Sequence, residues 1–469
     1  MGRYSKYQNT DNWFGTIPAT WETHRIKRLF ALRDKRNFLP LEQVNLISLY
    51  SNVGVRQHCD IEHTTGNRAR NADGYKVVHK DDIIVNILLC WMGAIGRSNY
   101  DGVTSPAYDV YMPRTNINSQ YYHYLFRTKA FSGECYKVGK GIMAMRWRTY
   151  SPQFMNINVP EPPRAEQDQI VRFLDWKVSE INKLIGIRWK EIQELEELKA
   201  RTIDKVVIHG LYDNFETHND DIRWAIDYPL NWQLERLRNF FTFRKGLSIT
   251  KENLEPSGIP VINYGQIHSK KNSMVGLNDE LFKFVNPSYL QNAPSALVKK
   301  GDFIFADTSE DLTGSGNCAY IDRDGEVFAG YHSVIAHPKG STNNKYFAYL
   351  FKSSTWRYQI RKKVNAVKVY SITQQVLKDV FLLIPPLKEQ QEIVQYLDNK
   401  CSKIDALIEC TRKKIAELTG LKSVIISDVV TGKIDVRNIP VPAYEHVDDL
   451  TADDGEGNDG ETGIPGEED

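Results

Sequence analysis

The chain has 469 residues, of which 41% are hydrophobic, so it is long enough for more than one packed domain and is not globally disordered. Its formal net charge of +1 argues against nucleic acid as a partner, but the charge is unevenly distributed. Residues 1–160 carry a net charge of +9 and residues 216–384 carry +4, whereas Ile439–Asp469 contains eleven acidic residues and no Lys or Arg. Two parts of the chain are therefore candidates for attracting a polyanion, with ordinary scatter of charge as the alternative.

The cysteines and the apolar runs argue against other classes of protein. The six cysteines include no CxxC pair and no cluster at metal-ligand spacing, which disfavours a zinc site or a disulfide framework. The N-terminus lacks the apolar core of a signal peptide, and the most apolar run, residues 83–95, is too short to span a bilayer. We therefore expect a soluble protein of a reducing compartment.

An internal repeat organises the chain. The segment Ile17–Trp21 recurs as Tyr228–Trp232, at a residue-number offset of 211. A second segment, Pro162–Gln167, recurs as Pro385–Gln390 at the larger offset of 223, so the middle of the second copy is longer than that of the first. The two copies therefore share these two segments, which we call the repeated frame, and they differ in the residues between the segments.

The middle of each copy has the pattern of a mixed α/β domain. Apolar runs that follow turn residues predict strands, and apolar residues at helical spacing predict helices. The predicted strands are 83–85, 303–305, 327–329 and 333–336, and the predicted helices are 118–128 and 345–352. The predicted fold class is therefore α/β (α+β), with two similar mixed domains.

A long amphipathic helix is predicted after each Pro-Pro pair. Apolar residues recur there at alternating steps of three and four over four heptads, which is the spacing of a coiled-coil seam. The predicted seam comprises Val171, Leu174, Val178, Ile181, Ile185, Ile192 and Leu195 in the first copy and Val394, Leu397, Ile404, Ile408, Ile415 and Leu418 in the second. The Pro pairs suit helix starts, and Gly210 and Gly432 suit helix ends.

The simplest arrangement pairs the two seams in an antiparallel coiled coil, which would act as a ruler between the two mixed domains. The alternative is that each helix packs only on its neighbouring domain. The predicted organisation is mixed domains at 1–160 and 216–384, helical spacers at 161–215 and 385–437, and an acidic disordered tail at 438–469.

The sequence contains only poor matches to catalytic motifs. The nearest approach to a P-loop, Gly133–Gly141, has the wrong spacing and lacks the terminal hydroxyl. Glu197–Lys199 mimics the end of a nuclease motif but suits a solvated helix face better, and Gly314–Asn317 is interpreted as a turn. His332-Ser333 could be assembled into a catalytic triad, although nothing in the sequence favours it. We therefore predict neither catalytic residues nor a metal site.

Four polar and basic clusters suit DNA binding. Arg, Asn and Thr match base edges or the thymine methyl group, although phosphate contacts are usually commoner than base contacts. The candidates are His63, Thr65, Asn67, Arg68, Arg70 and Asn71; Lys140, Arg146 and Arg148; Asn263, Tyr264, Gln266, His268, Lys270 and Lys271; and Arg361, Lys362, Lys363 and Lys368. For each cluster the alternative is a solvated surface loop.

The repeated frame resembles the specificity subunit of type I restriction–modification systems. The resemblance is carried by the Pro-x-x-Trp segments ending at Trp21 and Trp232, the two Pro-Pro-x-x-Glu-Gln-x-x-Ile segments with their heptad helices, and the closing Thr431–Asp435. It covers residues 16–437. The first copy departs from the family pattern at Glu161, where an apolar residue usually precedes the Pro pair, and the acidic tail is not a family feature.

The resemblance implies that each mixed domain is a target recognition domain reading one half of a bipartite site in double-stranded DNA. It also implies that the paired helices set the gap and dock two methyltransferase subunits, with restriction (translocase) subunits completing the complex in the prokaryotic cytoplasm. S-adenosylmethionine, ATP and Mg are then expected on the partner subunits, none on this non-catalytic chain. Two other functions stay open: a self-contained DNA methyltransferase or nuclease, and a coiled-coil scaffold that binds no DNA.

Overall fold

Two long helices and two mixed α/β regions make up the described part of the chain. The computed structural model describes residues 2–51, 54–58, 71–141, 147–212, 216–218, 227–340, 342–364 and 369–448. Contacts divide the chain into unit 1, which comprises Met1–Glu191 with Cys410–Asp469, and unit 2, Ile192–Glu409. Each unit therefore contains one mixed region together with a part of both long helices.

Unit 1 is built on a four-stranded antiparallel sheet. Its strands are β1 (Tyr7–Gln8), β2 (Ile17–Pro18), β3 (Glu22–Arg25), β4 (Phe30–Leu32), β5 (Ile47–Tyr50), β6 (Gly54–Gln57), β7 (Lys76–Val78), β8 (Ile83–Asn86), β9 (Ile95–Arg97), β10 (Gly102–Thr104), β11 (Tyr108–Pro113) and β12 (Asn158–Glu161). Its short helices are α1 (Ile26–Leu29), α2 (Ser119–Phe126), α3 (Lys129–Val138) and α4 (Ser151–Phe154). The central sheet has the order β4-β11-β8-β9, and Val110 lies opposite Ile84.

The first long helix, α5, extends from Arg164 to His209 and leads from unit 1 into unit 2. It starts directly after the Pro162-Pro163 pair, as predicted, because a proline at a helix start gives up no hydrogen bond.

Unit 2 contains the same four-stranded sheet and a second sheet beside it. Its strands are β13 (Thr217–His218), β14 (Tyr228–Pro229), β15 (Gln233–Arg236), β16 (Phe241–Lys245), β17 (Leu254–Glu255), β18 (Ile259–Ile262), β19 (Lys283–Val285), β20 (Leu297–Val298), β21 (Phe303–Ala306), β22 (Thr308–Ser309), β23 (Cys318–Tyr320), β24 (Val327–Ala329), β25 (Ser333–Pro338), β26 (Tyr370–Ser371) and β27 (Phe381–Ile384). Its short helices are α6 (Leu237–Phe240), α7 (Tyr264–Ile267), α8 (Tyr289–Asn292), α9 (Asn344–Lys352), α10 (Ser354–Arg361) and α11 (Gln374–Lys378).

The two sheets of unit 2 differ in how they relate to unit 1. The order β16-β25-β21-β23 repeats that of unit 1, with Ile304 opposite Ile335. The second sheet, β17-β19-β18-β24-β20, includes the parallel pair β18 and β24. The strands and helices predicted inside both copies are confirmed at β8, β21, β24, β25, α2 and α9.

The second long helix, α12, extends from Leu387 to Val430. In unit 2 it runs antiparallel to α5, because Lys199 Nζ lies 2.6 Å from Asp405 Oδ1 and the Tyr212 hydroxyl lies 3.5 Å from Glu392 Oε2. In unit 1, Lys422 Nζ donates to Asn182 Oδ1 at 3.2 Å. Each unit therefore has its own helix–helix interface.

The predicted seam residues lie on the covered faces of the two helices. Val171, Leu174, Ile181, Ile185, Ile192, Leu397, Ile404 and Ile408 are buried, and Val178, Leu195, Val394, Ile415 and Leu418 are half-buried. Thr411, a polar residue within the seam of the second helix, is buried as well.

Both long helices end at a glycine that packs on a tryptophan. Gly210 has φ +75° and Gly432 has φ +74°, the left-handed conformation in which glycine is favoured at helix ends. A Cβ on Gly210 would lie 3.2 Å from Trp232 Cζ2, and one on Gly432 would lie 3.0 Å from Trp21 Cη2. The glycines predicted as helix ends are thus confirmed, and each lies against a tryptophan of the repeated frame.

The C-terminal segment differs from the prediction in residues 438–448. This part of the expected disordered tail is an ordered extended segment along α5, where Gln169 Nε2 donates to the carbonyl oxygens of Val436 and Ile439 at 3.1 and 2.8 Å. The side chains of Ile439 and Val441 pack on the core of unit 1, and most acidic residues of the tail lie after this segment. Residues 449–469 lie outside the described part of the chain. Among the described helices, none is both long and apolar enough to cross a membrane.

Candidate nucleic-acid interface

The repeated sequence motifs form the same hydrogen-bonded junction in both units. Trp21 Nε1 donates to Glu166 Oε1 at 3.0 Å in unit 1, and Trp232 Nε1 donates to Glu389 Oε2 at 3.1 Å in unit 2. The motifs are therefore structural, since they join the start of each mixed region to the start of a long helix.

The glutamine after each of these glutamates makes a second link. Gln167 Oε1 accepts a hydrogen bond from the backbone N–H of Asn118 at 2.8 Å, and Gln390 Oε1 accepts one from Asn343 at 3.2 Å. Asn118 and Asn343 are the N-caps of α2 and α9. The repeat thus fixes the position of a helix pair, α2–α3 in unit 1 and α9–α10 in unit 2.

A hairpin loop rests on the second helix of each pair. In unit 1 the loop 87–94 connects β8 to β9, and a Cβ on Gly93 would lie 3.6 Å from the Ser132 hydroxyl of α3. In unit 2 the loop 307–317 connects the equivalent strands, and a Cβ on Gly316 would lie 3.3 Å from Arg357 Cγ of α10. We call this arrangement of hairpin loop, helix and the segment after the helix the loop–helix surface.

In unit 2, two arginines of α10 hold the hairpin loop. The carbonyl oxygen of Thr313 accepts hydrogen bonds from Arg361 Nη2 at 2.7 Å and from Arg357 Nη1 at 3.4 Å, and Arg357 also donates to Asn317. Burial, and secondly the positive charge of Arg361, lower the pKa of Arg357 to about 10. The tip of the loop, residues 310–313, is exposed between these contacts.

The same loop contacts the cluster predicted around His268. His268 Nε2 lies 2.8 Å from the carbonyl oxygen of Thr308, and His268 Nδ1 lies 3.2 Å from the side-chain amide of Asn317. The structure therefore brings together His268 and Arg361, two predicted residues from clusters far apart in the sequence, on either side of one loop.

Two other residues of that cluster have structural roles. Asn263 is fully buried, and its Oδ1 accepts a hydrogen bond from the backbone N–H of Tyr331 at 3.2 Å. Gln266 Oε1 accepts from the backbone N–H of Asn263 at 3.2 Å and completes a capping box at the start of α7. Burial removes Asn263 from the candidate base-reading side chains.

Tyr264 belongs to a ring cluster in which it and Tyr331 are half-buried and His332 is exposed, and which the sequence did not single out for binding. Its ring centroid lies 5.7 Å from that of Tyr331 and 5.6 Å from that of His332. His332 has the left-handed φ of +53°, and its Nδ1 lies 3.2 Å from Asp307 Oδ1. A non-glycine residue in this conformation carries strain, which is commonly retained at functional sites. The hydroxyl of Ser333 donates instead to the carbonyl oxygen of Gly330 at 2.6 Å, so it is not part of a triad with His332.

The loop–helix surface of unit 1 has a different chemistry. Trp147 stacks on Tyr136 with ring centroids 5.0 Å apart, and Trp91 of the hairpin loop meets Tyr136 edge-on at 5.6 Å. The predicted Lys140 and Arg148 are paired through their backbones and both are exposed beside this stack. Unit 1 therefore presents aromatic rings where unit 2 presents Arg357 and Arg361.

The remaining predicted residues have varied surroundings. Lys270, Lys271, Lys362 and Lys363 are exposed, with Lys271 Nζ at 2.6 Å from Glu280 Oε2 and Lys363 Nζ donating to the carbonyl oxygen of Asp379 at 3.1 Å. Asn71 Oδ1 accepts from the backbone N–H of Asp73 at 2.9 Å, which stabilises a turn. The residues His63, Thr65, Asn67, Arg68, Arg70, Arg146 and Lys368 lie outside the described part of the chain.

One group among the described residues could hold a metal ion. Glu22, His24 and Glu161 meet on the β3–β12 pair, where His24 Nε2 lies 2.8 Å from Glu22 Oε2 and 3.2 Å from Glu161 Oε2. Both carboxylates lie within hydrogen-bonding reach of His24 Nε2, a contact that forms without a metal.

Sequence reasoning missed the 307–317 loop because it interpreted Gly314–Asn317 as a plain turn. A signal was present, since Gly93 and Gly316 are related by the same residue-number offset as the two Pro-Pro segments. Applying that offset inside the variable middles identifies the two loops as equivalent.

Comparison with known proteins gives a consistent result. Residues 229–419 match the family model described as the type I restriction modification DNA specificity domain. The chain is 23% identical over 373 residues to the type I restriction enzyme MjaVIII specificity subunit of Methanocaldococcus jannaschii, an alignment that covers 78% of this chain and 83% of that protein. It is 24% identical over 293 residues to the EcoKI specificity subunit of Escherichia coli, covering 60% of this chain and 58% of that protein.

A solved structure has a similar fold. It comes from work on complex assembly and conformational transition of the type I R-M system and aligns with a TM-score of 0.61 at 17% identity, over 89% of this chain and 99% of that chain. The mixed α/β architecture with long helices is therefore shared with a structure from such a system.

Proposed function

We propose that the chain is the DNA-reading subunit of a type I restriction–modification system, with each unit reading one half of a bipartite site. Its similarity to specificity subunits of such systems supports this proposal. The observation that carries the proposal is the loop–helix surface, which recurs at the same place in both units with different side chains. A repeated scaffold with different surface chemistry suits a protein that reads two different half-sites.

The proposed DNA contacts are of two kinds, contacts with phosphates and contacts with base edges. Lys362 and Lys363 are exposed after α10 and suit phosphate oxygens, whereas the exposed tip 310–313 suits base edges because two arginines fix its backbone. In unit 1, Lys140 and Arg148 take the phosphate role beside the Trp147–Tyr136 stack. Fixing the loop before binding lowers the entropy cost of ordering it on DNA.

In the proposed complex, the partner subunits carry out the chemical reactions. The chain positions two methyltransferase subunits, with restriction (translocase) subunits completing a complex in the prokaryotic cytoplasm. S-adenosylmethionine, ATP and Mg then belong to those partners, and the methylated adenine is flipped into the methyltransferase. The antiparallel helix pairing in each unit supports a rigid docking element for them.

Methylation mapping tests the function as a whole. The chain is expressed with its methyltransferase subunits, and the DNA of the host is mapped for modified adenines. We expect one motif split by a fixed gap, and deletion of this gene alone should abolish it. A continuous motif, or methylation that survives the deletion, contradicts the proposal.

A pair of double variants tests the surface. K362A/K363A removes two charges beside the loop, and we expect specific DNA affinity to fall about tenfold and the salt dependence to decrease by about two phosphate contacts. The matched control K299A/K300A removes two exposed charges of the same unit before β21, at the opposite end of that strand from the 307–317 loop. Equal losses in both double variants would show that the loop–helix surface has no special role.

Two measurements separate the rival functions. Cleavage or methylation of DNA by the purified chain alone would identify a self-contained enzyme. A complex that shows no salt-dependent DNA binding would identify a scaffold.

A further inference from the structure

The C-terminal segment 437–448 is fastened along α5 in unit 1. Asn182 Nδ2 donates to the carbonyl oxygen of Val447 at 3.0 Å, and Ser179 Oγ lies 3.4 Å from His446 Nδ1. Together with the contacts of Gln169, these reach along the helix as far as Asn182, about 20 Å at the rise of an α-helix. The segment is therefore held at several points and has a defined direction.

That direction leads to an arginine of unit 1. Asp448, at the end of the described segment, lies with its Oδ2 3.2 Å from Nη1 of Arg56 on β6. In the sequence, Arg56 stands seven residues before His63, the first residue of the predicted polar-basic cluster. Lys183 makes a second ion pair, with Nζ at 3.7 Å from Glu445 Oε2. Acidic side chains of the segment thus already occupy cations of unit 1.

The sequence beyond this contact is strongly acidic. Residues 449–469 include nine Asp or Glu and no Lys, Arg or His. The segment is fastened on the unit whose mixed region carries a net +9, rather than on the one that carries +4. Charge complementarity therefore favours unit 1 as the partner of this sequence.

The two long helices are followed by very different sequences. After Gly210 the repeated frame resumes at Tyr228, whereas after Gly432 the chain continues to Asp469 without another copy of the frame. The acidic segment thus lies outside the repeated frame.

We propose that the C-terminal acidic segment 445–469 is an intramolecular competitor of DNA for the cations of unit 1 that it contacts, Arg56 and Lys183. The inference rests on the proposed function, since it needs unit 1 to bind DNA. A tethered polyanion has a local concentration of about a millimolar, enough to compete with weak phosphate contacts. Specific DNA adds base contacts that the segment lacks, so the segment lowers non-specific binding more than specific binding and sharpens discrimination.

Truncation tests the proposal on the otherwise complete chain with its methyltransferase subunits. A variant ending at Val447 keeps the fastening contacts and removes Asp448 and the acidic sequence after it. The probe is a short DNA duplex without the methylated motif, measured at low and at high salt. We expect truncation to tighten non-specific binding about threefold to tenfold at low salt and to have little effect at high salt, where screening weakens both competitors.

Two further variants identify the mechanism. Neutralising the acidic residues 448–469 to Asn and Gln at full length should reproduce the truncation, because charge rather than length is responsible. In R56Q the gain from truncation should shrink, because the segment and DNA no longer contend for that guanidinium. Equal binding by the full-length and truncated chains would overturn the inference while leaving the proposed function intact. Failure of every variant to bind DNA, specific or not, would overturn the proposed function and this inference with it.

Discussion

The two units share a frame and differ in the surface that the frame carries. Trp–Glu and Gln–Asn hydrogen bonds recur at matching positions in both, and both long helices end at a left-handed glycine. On this frame unit 1 presents aromatic rings and unit 2 presents two arginines. The difference teaches that the repeated residues hold a surface in place, whereas the residues that vary determine its chemistry.

The units also differ in what has been added to them. Unit 2 carries the second sheet, in which β18 and β24 pair in parallel, and unit 1 carries the fastened segment 437–448. Both additions leave the central four-stranded order unchanged.

The largest expected effect is a loss of stability, and it shows whether the repeated tryptophan stabilises both units by the same amount. W21A and W232A each remove a buried indole and its hydrogen bond to Glu166 or Glu389, although Glu166 keeps a second donor in the Tyr4 hydroxyl. We expect each to destabilise its own unit by about 3–5 kcal/mol, the usual cost of truncating a buried aromatic residue. Hydrogen–deuterium exchange measured on peptides of each unit reports the two effects separately.

The comparison of these variants is its own control. A loss of protection confined to the unit that carries the change, and similar in size for both, supports an equal frame. A large effect for one tryptophan and a small effect for the other would show that the two units share sequence and structure here, but that the tryptophan does not stabilise them equally.

The sequence predicts those elements of the fold that depend on patterns among neighbouring residues. The long helices follow from heptads and Pro-Pro starts, and β8 and β21 follow from an apolar run after a turn. The parallel pairing of β18 with β24 joins strands that lie far apart in the sequence, with β19 to β23 between them, and no local pattern specifies it.

The candidate site was harder to predict because it also depends on contacts between residues that lie far apart in the sequence. Asn263 looks like a base reader by residue type, but it is buried and accepts a hydrogen bond from the backbone N–H of Tyr331, which lies far from it in the sequence. The convergence of His268 and Arg361 on one loop likewise depends on tertiary structure. The acidic composition of residues 438–469 as a whole predicts disorder, yet residues 438–448 contain only two of its acidic residues, and Ile439 and Val441 pack on the core of unit 1.

A smaller effect is expected at the glycines that end the long helices. Alanine costs about 1–2 kcal/mol in the left-handed conformation at either position. A Cβ on Gly432 would also lie 2.3 Å from the ring carbon Cδ of Pro18, whereas one on Gly210 would first meet the end of the Glu389 side chain at 2.9 Å. Since a carboxylate can rotate away and a proline ring cannot, G432A should lower the thermal midpoint more than G210A. Equal shifts would show that backbone conformation alone sets the cost.

An effect of similar size concerns pH and separates the units at one helix position. Lys352 in unit 2 occupies the place of Arg127 in unit 1, at the end of equivalent helices. Burial, and secondly the positive charge of Lys199, lower the pKa of Lys352 to about 8. An arginine stays charged throughout the accessible pH range, so unit 1 should show no such titration at this position.

The direction of the pH effect follows from proton linkage. Between pH 8 and the ordinary lysine pKa, the unfolded chain holds the Lys352 proton and the folded chain does not, so stability contributed by this residue rises with pH. Below pH 8 both states are protonated, and the cost of the buried charge stays constant. Urea unfolding at pH 7.5 and 9.5 should therefore show a gain of about 2 kcal/mol in the wild-type chain that is absent in K352M. R127K should introduce a similar gain in unit 1 if burial at this helix position, rather than the charges particular to unit 2, is the main cause.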